Sequence, residues 1–567
     1  MAVLAGYISK SSQAVADNPL LASGLINFAG EVDVAWPPHT QPATRTTSAV
    51  LQRKPALANP RALQGYRSHS FTDEFYHRVH VAPNELVLGN IASVQVSTVR
   101  VWNAHLVPIA VQGVECDDTG ITITPPAALP MVLGGLQETD WLINVTQDGP
   151  STLDTYVRWL LPTGSASLHI TGSRIVPWGF VPDWSTPVAE RLEWLTDVLT
   201  SPRGGEQRRS LRVSPRRSFD ASMLTEGRER AFFDMSVAGW GRRVWALPIW
   251  HDIQFLAADL AAGSLRINCA VSLFEFRAGG LALLRGESAF ETEAVEILAI
   301  DATGLQLTRP TQQRWSAGTR LYPVRTARIA SIESKPLTDK HNRAQLKFDL
   351  AEPSDWSAAL PQALYRGRPV FELRPDESED LTLNYERLLQ TLDNGSALPA
   401  VTDTASKHIS VQQHRWALQG REERAAWRSL AYGLRGRAKS VWVPTHAWDL
   451  TLTKPASGSL LTVERIGYAR FGVKTQGRQD IRIELHSGTV IYRRITAAAE
   501  DAATENLSLD SDLPGVINPA DVWRISFMAL CRAADDALEL THHSDAQDGL
   551  ARASITWRGV RDDLETV

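Results

Sequence analysis

Carboxylates and histidines are the side chains in this sequence best suited to catalysis or metal binding, and they occur in three small groups. Acidic pairs stand at Glu422 and Glu423 and in the stretch 375–380. Glycoside hydrolysis needs two carboxylates about 5–9 Å apart, but acidic pairs are commoner on helix faces and in turns. His542, His543 and Asp545 suggest metal ligands, yet adjacent residues of a strand point to opposite faces. We therefore predict no catalytic residue, no metal ligand and no cofactor.

Motifs that signal catalysis are missing from the sequence. It contains no GxSxG elbow, no HExxH zinc motif, no phosphate-binding loop and no EF-hand loop. We expect a non-enzymatic protein.

Arginine is concentrated between residues 203 and 243, where ten Arg stand against five acids. Arg clusters bind nucleic-acid phosphates, or pair in forks with the carboxylates of a neighbouring subunit. The second interpretation is favoured, because few aromatic residues accompany the run. Trp is also abundant, with 18 residues, and Trp and Arg are enriched at interface hot spots. The candidate interface residues are Arg208, Arg212, Arg216, Arg242, Arg243, Trp245, Arg437 and Trp442.

Length and composition indicate a folded protein of three or four domains. The chain has 567 residues, of which 43% are apolar and 21% charged. The net charge of −5 gives no global attraction to nucleic acid or anionic membrane, and three widely spaced Cys exclude a disulfide framework. No apolar run approaches the roughly 18 residues needed to span a bilayer, and the first residues do not resemble a secretion signal.

The first third of the chain divides into three predicted segments. Residues 1–67 show no sustained helical or alternating spacing of apolar residues, which predicts an extended arm. The arm is either a loose terminus or a segment that lies along a neighbouring subunit. About seven short alternating strands predict an antiparallel, immunoglobulin-like β-sandwich over 68–175. Apolar spacing in 186–200 predicts a helical connector over 176–203. Trp178 and Trp184 lie in a loop rich in Pro and Gly, so they are candidate exposed aromatics.

An internal repeat organises the remainder. Residues 230–253 and 424–450 both run from an aromatic amphipathic stretch through Gly and Arg to Val-Trp, Pro and Asp. This shared order predicts a duplication of a strand, a helix, a strand and a small β-barrel, over 204–330 and 406–567. Residues 331–405 form a bridging region. A trimer of such a chain would present six similar domains in a pseudo-sixfold ring.

The motifs of the second repeat resemble the N-terminal domain of distal tail proteins of long-tailed siphophages. The resemblance lies in Leu434-Arg-Gly-Arg437 and Val441-Trp-Val-Pro444. The stretches 365–371 and 392–395 are also similar to tail and baseplate proteins of transposable, Mu-like siphophages. The resemblance covers about residues 206–535.

The resemblance implies a mainly β protein with a few helices, whose two tandem tail-tube-like β-barrel domains form a ring. Its expected place is the virion tail tip or baseplate, after assembly in the host cytoplasm. Expected partners are further copies of the chain, as a trimer or a hexamer, and the tube, distal tail, hub and fibre proteins. The protein would contact DNA only as the DNA passes through the tail. The free protein would not bind a membrane. The alternative is a host-surface protein whose sandwich binds a glycan or a pilus.

Overall fold

The computed structural model describes residues 75–564, apart from 92–93, 147–148, 151, 163, 379 and 547. The predicted arm over 1–67 lies outside the described residues. The prediction of a mainly β protein with a few helices is confirmed, because strands dominate and three α-helices occur in the described part. The chain divides into two compact units, Met1–Arg174 and Ile175–Val567.

The first unit contains two four-stranded sheets, with the orders β1-β3-β8-β6 and β2-β10-β9-β5. Alternating side chains of both sheets contribute to one apolar core, which includes Val99, Trp141, Trp159 and Ile170. The sheets are antiparallel except between β2 and β10, which run parallel. The strands are β1 (Val79–Ala82), β2 (Glu85–Ile91), β3 (Gln95–Asn103), β4 (Ile109–Val111), β5 (Gly113–Cys116), β6 (Ile121–Thr124), β7 (Met131–Leu133), β8 (Glu138–Val145), β9 (Thr152–Leu161) and β10 (Gly164–Arg174).

The second unit begins with thirteen strands and one long helix. Residues Trp250–Asp252 form a short 3-10 helix after β16. The elements are β11 (Val176–Pro177), β12 (Val188–Glu193), β13 (Thr196–Thr200), β14 (Glu206–Ser210), β15 (Arg216–Glu226), α1 (Gly227–Trp240), β16 (Trp245–Pro248), β17 (Gln254–Phe255), β18 (Arg266–Asn268), β19 (Leu281–Arg285), β20 (Thr292–Asp301), β21 (Gly304–Leu307), β22 (Arg320–Pro336) and β23 (His341–Leu350).

The rest of this unit follows a closely similar order. Residues Pro519–Asp521 form a second 3-10 helix, before β33. The elements are β24 (Leu364–Tyr365), β25 (Arg368–Pro369), β26 (Thr382–Leu392), β27 (Ala400–Gln419), α2 (Gly420–Leu434), β28 (Ser440–Pro444), β29 (Leu460–Glu464), α3 (Tyr468–Phe471), β30 (Asp480–Leu485), β31 (Val490–Glu500), β32 (Thr504–Leu509), β33 (Val522–Ala533), β34 (Ala537–His542) and β35 (Leu550–Gly559).

The segment 176–203 is not the helical connector that its apolar spacing predicts. It forms β11, β12 and β13 instead. Val188, Glu190 and Leu192 are buried and alternate with more exposed neighbours, which is the period of a strand. β12 also pairs with a strand on each side, β15 and β34, and this tertiary pairing overrides the local helical pattern.

Two stretches of the second unit share one order of pairings. In the first, β16 and β19 pair with β22, β20 pairs with β19 and β21, and β23 pairs with β15. In the second, β28 and β30 pair with β33, β31 pairs with β30 and β32, and β35 pairs with β27. The strand pair β33 and β34 takes the place of the single long strand β22, because both pair with β35 as β22 pairs with β23.

The shared pattern extends upstream of the predicted domain starts at 204 and 406. Val176 pairs in parallel with Trp245, and Val370 forms the same parallel bridge with Trp442. β12 then pairs with β15, as β26 pairs with β27. We refer to residues 176–350 as copy 1 and to residues 370–559 as copy 2. The predicted boundaries leave out the first strands of each copy.

A glycine begins the helix in each copy for the same backbone reason. Gly227 and Gly420 have φ angles of +51° and +75°, a region that side chains with a Cβ rarely adopt. The glycine turns the chain out of the preceding long strand and into α1 or α2, and so fixes each helix against its own sheet.

The copies are joined through β12. This strand belongs to copy 1 by its pairing with β15, and its other edge pairs antiparallel with β34 of copy 2. A continuous path of eight strands therefore runs β26-β27-β35-β34-β12-β15-β23-β22. The site described next lies where β12 makes this connection.

Candidate functional site

Charged side chains from both copies are buried together beside β12. We call this group the junction cluster. Copy 1 supplies two acids from separate elements and the residues around its 3-10 helix, and copy 2 supplies one face of α2 and the end of β34. Its members are Glu190, Arg217, His251, Asp252, Glu275 and Arg325 from copy 1, and Arg421, Arg424, Arg428 and His542 from copy 2. Such a concentration of buried charge is unusual and needs internal partners.

Glu190 is the centre of the junction cluster. Its two carboxylate oxygens lie 2.7 Å from Nε of Arg217 and 2.7 Å from Nη2 of Arg428. Nε2 of His542 donates a hydrogen bond of 2.9 Å to the same carboxylate. Burial acts to raise the pKa of Glu190, but the two guanidinium groups outweigh it and hold this pKa well below its usual range. Glu190 therefore binds copy 2 as a carboxylate.

Glu275 is the second anion shared by the two copies. Arg217 donates a bidentate pair of hydrogen bonds to it, at 2.5 and 2.6 Å, and Arg428 donates another. Arg325 lies 3.5 Å away. Burial opposes ionisation, but these cations hold the pKa of Glu275 well below normal, and the two acids raise that of Arg217. Arg217 and Arg428 are thus held between two carboxylates.

His251 and His542 face each other across the junction. Their rings stack with centroids 3.7 Å apart and planes at 2°. Burial lowers the pKa of both, and Arg428 lowers each of them further. We conclude that both imidazoles are neutral near pH 7, since two stacked imidazolium ions beside a guanidinium would repel one another.

Helix α2 presents its arginines to copy 1 because of their spacing. Arg421, Arg424 and Arg428 follow one another by three and four residues and so share one helix face. Arg421 pairs with Asp252, and Arg424 donates to the backbone oxygen of His251 at 3.3 Å. The helix carries its cations to the 3-10 helix of copy 1.

Glu190, His251 and His542 also form a candidate metal site, since one ligand atom of each lies within 4.8 Å of the others. The geometry fits a guanidinium better than a metal ion. Nη2 of Arg428 lies 2.7 Å from Glu190 and 3.2 Å from Nε2 of His251, the position that a cation would take. Nε2 of His542 also carries the proton that it donates to Glu190, so this nitrogen offers no lone pair to an ion. The junction cluster therefore holds the two copies together through buried ion pairs.

Two of the predicted interface residues are core residues of this chain. Trp245 and Trp442 are almost fully buried, and their indole nitrogens donate to the backbone oxygens of Gly241 and Tyr365, respectively. Their recurrence in the two copies reflects equivalent packing positions inside each copy. The prediction that these tryptophans are interface side chains is wrong for this reason.

The predicted arginines have varied surroundings. Arg437 pairs with Asp536 at 3.1 Å and donates to the backbone oxygen of Thr196, so its acid lies in the same chain instead of in a neighbour. The other arginines range from half-buried to exposed. Arg212 donates to the backbone of Glu193 and Trp194, Arg208 lies 4.0 Å from Glu206, Arg243 lies over Trp240, and Arg216 and Arg242 are exposed.

The candidate exposed aromatics both pack on the copy 1 core. Trp178 is fully buried against Phe233, Trp245 and Phe348, so its predicted exposure is wrong. Trp184 is half-buried on the same core. Pro177 pairs with Ala246 of β16, and Gly179 lies so close to the backbone of Ala289 that a Cβ would not fit, so this segment is not an open loop.

Sequence reasoning missed the junction cluster because its members are far apart in the chain. Glu190 and Arg428 are separated by 238 residues, and Glu190 and His542 by 352. The sequence did carry one signal. The arginines on α2 are not spaced to pair with the acids of the same helix, as they would be on a solvated face. His542 had drawn attention as a metal ligand beside His543, but its partner is Glu190.

Comparison with known proteins adds little to this description. No protein-family profile matches the chain. It is 29% identical over 164 residues to a protein of Frankia alni named as a candidate S-adenosyl-L-methionine-dependent methyltransferase, covering 26% of this chain and 54% of that protein. The chain thus spans about half the length of this curated relative. The secreted serine protease VesC from Vibrio cholerae aligns at 9% identity over 52% of this chain and 55% of its own, with a TM-score of 0.16.

Replacing Glu190 tests the contribution of the junction cluster to stability. Glu190→Gln keeps the size of the side chain but leaves Arg217 and Arg428 with less compensating charge. We expect the free energy of unfolding at pH 7, measured by urea denaturation, to fall by about 3–5 kcal/mol. Glu193→Gln, at a half-exposed pair with Arg212 on the same strand, is the control and should cost under about 1 kcal/mol. Equal losses would contradict the assignment.

The stacked histidines predict a loss of stability in mild acid. Their pKa values in the folded chain lie below the unfolded value of about 6.5, so the unfolded chain binds more protons as the pH falls. Their contribution is complete above about pH 6.5 and is lost toward lower pH. His542→Asn retains a donor for Glu190 without titrating, so its free energy of unfolding should fall less than that of the wild type between about pH 6.5 and 5. His486→Asn, in an exposed turn, should follow the wild type.

Proposed function

We propose that this protein is a non-enzymatic structural component of a bacteriophage tail tip or baseplate, and that its chains join edge to edge into a trimeric ring. One observation carries the proposal. The pairing of β12 with β34 joins copy 1 to copy 2 inside the chain. At the two ends of the eight-strand path, the outer edge of β26 and residues 331–336 of β22 have no second strand partner among the described residues, whereas the earlier part of β22 is covered by β16 and β19.

β26 occupies in copy 2 the place that β12 has in copy 1. Ala189 of β12 pairs with Asp220, seven residues before Gly227, and Thr382 of β26 pairs with Gln413, seven residues before Gly420. The outer edge of β26 is therefore equivalent to the edge of β12 that binds β34.

The end of β22 is equivalent to β34 by the same comparison. His542 lies opposite Ala551, which lies opposite Leu418, two residues before the helix glycine of copy 2. Pro336 lies opposite Asn342, which lies opposite Thr225, two residues before the helix glycine of copy 1. The segment 331–336 thus presents the edge that a β26 strand of another chain would need.

Side chains along the two open edges suit this pairing. Inside the chain Leu192 lies opposite Leu538, both buried. Their equivalents on the open edges are Tyr385 and Ile332, which are 58% and 39% exposed. A second chain would place these two apolar side chains opposite each other and withdraw both from water.

The helices show the same asymmetry. Helix α2 is covered by copy 1 and by residues 354–360 between the copies, and it buries nine of its fifteen residues, whereas Phe233 is the buried residue of α1. Met235 on α1 is 70% exposed. Trp448, which follows β28 as the 3-10 helix follows β16, is 77% exposed. In a ring, α1 would pack on the Trp448 loop of the next chain, as α2 packs on residues 250–252.

An interface between two different edges repeats from chain to chain and closes into a ring when the rotation permits. Three chains would then supply six copies. The resemblance of copy 2 to distal tail proteins supports a place at the tail tip, where the ring would contact tube, hub and fibre proteins and enclose the passage for DNA. In the described part of the chain no helix is long and apolar enough to cross a membrane.

Introducing a charged residue on either open edge tests the proposed ring. We expect native mass spectrometry to detect trimers of the wild type, and Tyr385→Asp or Ile332→Asp to give monomers, because each change places a charge in the apolar pair between chains. Both residues are exposed in the single chain, so its folding should survive. Mixing Tyr385→Asp with Ile332→Lys should restore part of the association through one complementary seam.

Leu298→Asp, at an exposed position of β20, which pairs with β19 and β21, is the matched control and should leave the mass distribution unchanged. A wild-type chain that remains monomeric at high concentration, alone and with tail proteins, would contradict the proposal. Unchanged trimers in both edge variants would contradict the assigned interface.

The second candidate function, host-surface binding through the sandwich, has one supporting observation in the first unit. Trp141 and Trp159 are buried in its core, whereas Trp102 is half-buried and stacks on His80 with centroids 5.2 Å apart. Such a pair offers a flat apolar face to a sugar ring.

A glycan array probed with the full chain tests this second candidate. Binding that Trp102→Ala reduces by about tenfold or more would support it, since loss of a stacked aromatic contact removes roughly 1–3 kcal/mol. Trp523→Ala, at an exposed tryptophan of the second unit, is the control. Absence of binding, or an equal loss in both variants, would remove the candidate.

A further inference from the structure

An open apolar cavity of about 730 Å³ lies beside α2. One wall is the helix, through Trp427 and Leu430, and another is β27, through Trp416. The remaining walls are the segment 371–376 that follows β25 and residues 359–361, which lie between the two copies. None of the cavity's lining residues belongs to the junction cluster, whose arginines occupy a different face of α2.

The corresponding place in copy 1 is filled by three aromatic rings. Phe180 follows β11 and packs on Phe232 of α1 with centroids 5.5 Å apart. Phe232 stacks in turn on Phe290, from the turn between β19 and β20, at 4.7 Å. The framework common to both copies therefore accommodates phenyl rings between the helix and the segment after its first strand.

Copy 2 lacks all three rings. Counted from the glycines that begin the two helices, Ala425 and Ala426 stand where copy 1 has Phe232 and Phe233. The turn between β30 and β31 is two residues shorter than that between β19 and β20, so it has no equivalent of Phe290. The segment 372–376 also carries no aromatic residue in place of Phe180. The cavity is thus the space that these side chains occupy in copy 1.

The rim of the cavity is acidic. Asp376 accepts a hydrogen bond from the backbone of Ser378, and such hydrogen bonds hold its pKa below the usual value. Glu423 accepts one from the backbone of Gln419. The rim cation Arg374 is itself neutralised by Glu377 at 2.6 Å. A guest with a positive charge beside its apolar part is favoured over one with a negative charge.

We propose that this cavity is a docking site for another protein, which inserts an aromatic side chain flanked by Lys or Arg. The walls and volume suit one or two rings, copy 1 demonstrates the packing, and the acidic rim selects the flanking charge. The site is independent of the ring proposed above, because none of its lining lies on β26, on residues 331–336 or on α1.

Calorimetric titration of the full chain with capped peptides tests the proposal. The probes are Gly-Lys-Trp-Lys-Gly, its acidic counterpart Gly-Glu-Trp-Glu-Gly, and Gly-Lys-Ala-Lys-Gly. We expect one site per chain for the first, about fivefold weaker binding of the acidic peptide, since reversing charges near exposed carboxylates is worth roughly 1 kcal/mol, and no binding of the alanine peptide.

Filling the cavity gives the decisive variant. Ala426→Phe copies the side chain of copy 1 into copy 2 and should abolish binding without lowering the melting temperature. Ala231→Phe, at an exposed position of α1, is the matched control and should bind as the wild type does. Asp376→Asn should reduce the ratio of the affinity for the basic peptide to that for the acidic peptide.

Failure of the intact wild type to bind the basic peptide at millimolar concentration overturns the proposal, including where a segment of the chain itself already fills the cavity. Equal binding by Ala426→Phe, or an equal affinity for the acidic peptide, also overturns it. The mass of each sample, measured in parallel, reports on the ring separately.

Discussion

The ion pairs of Arg428 with Glu190 and Glu275 tie the two halves of the second unit together. Removing such charges from water is costly, and the attraction between them offsets that cost only when every partner is in place. Helix α2, the 3-10 helix of copy 1 and the strand β12 must therefore be positioned together. The register of β12 depends on this arrangement, because a slip of one residue would turn Glu190 to the opposite face of the sheet.

The two copies share a framework of strands and a helix. They differ in whether the helix is covered and whether the space beside it is filled. Copy 1 fills the space beside its helix with phenylalanine and leaves the helix itself largely uncovered. In copy 2 the helix is covered by copy 1 and by residues 354–360, and the neighbouring space is open. Each copy therefore presents a different surface from an equivalent set of strands.

The sequence was a good guide where the pattern was local. The strand composition predicted a mainly β protein, and Trp427, Leu430 and Leu434 predicted the position of α2. It failed over 176–203, where two flanking strands impose a strand on a segment with helical spacing. It could not identify Glu190 as the centre of a site, because its partners in copy 2, Arg428 and His542, lie more than 200 residues further along the chain.

The position of β12 near the start of the second unit and of β34 near its end has a consequence for synthesis. The strand that completes the edge of β12 leaves the ribosome about 350 residues later. At roughly 5–20 residues per second, this interval is on the order of 20–70 s. During that time Glu190 has no His542, for about the first two thirds of it no Arg428, and the edge of β12 is open to any other strand. The nascent chain must pass through this exposed stage before its own C-terminal region can close the edge.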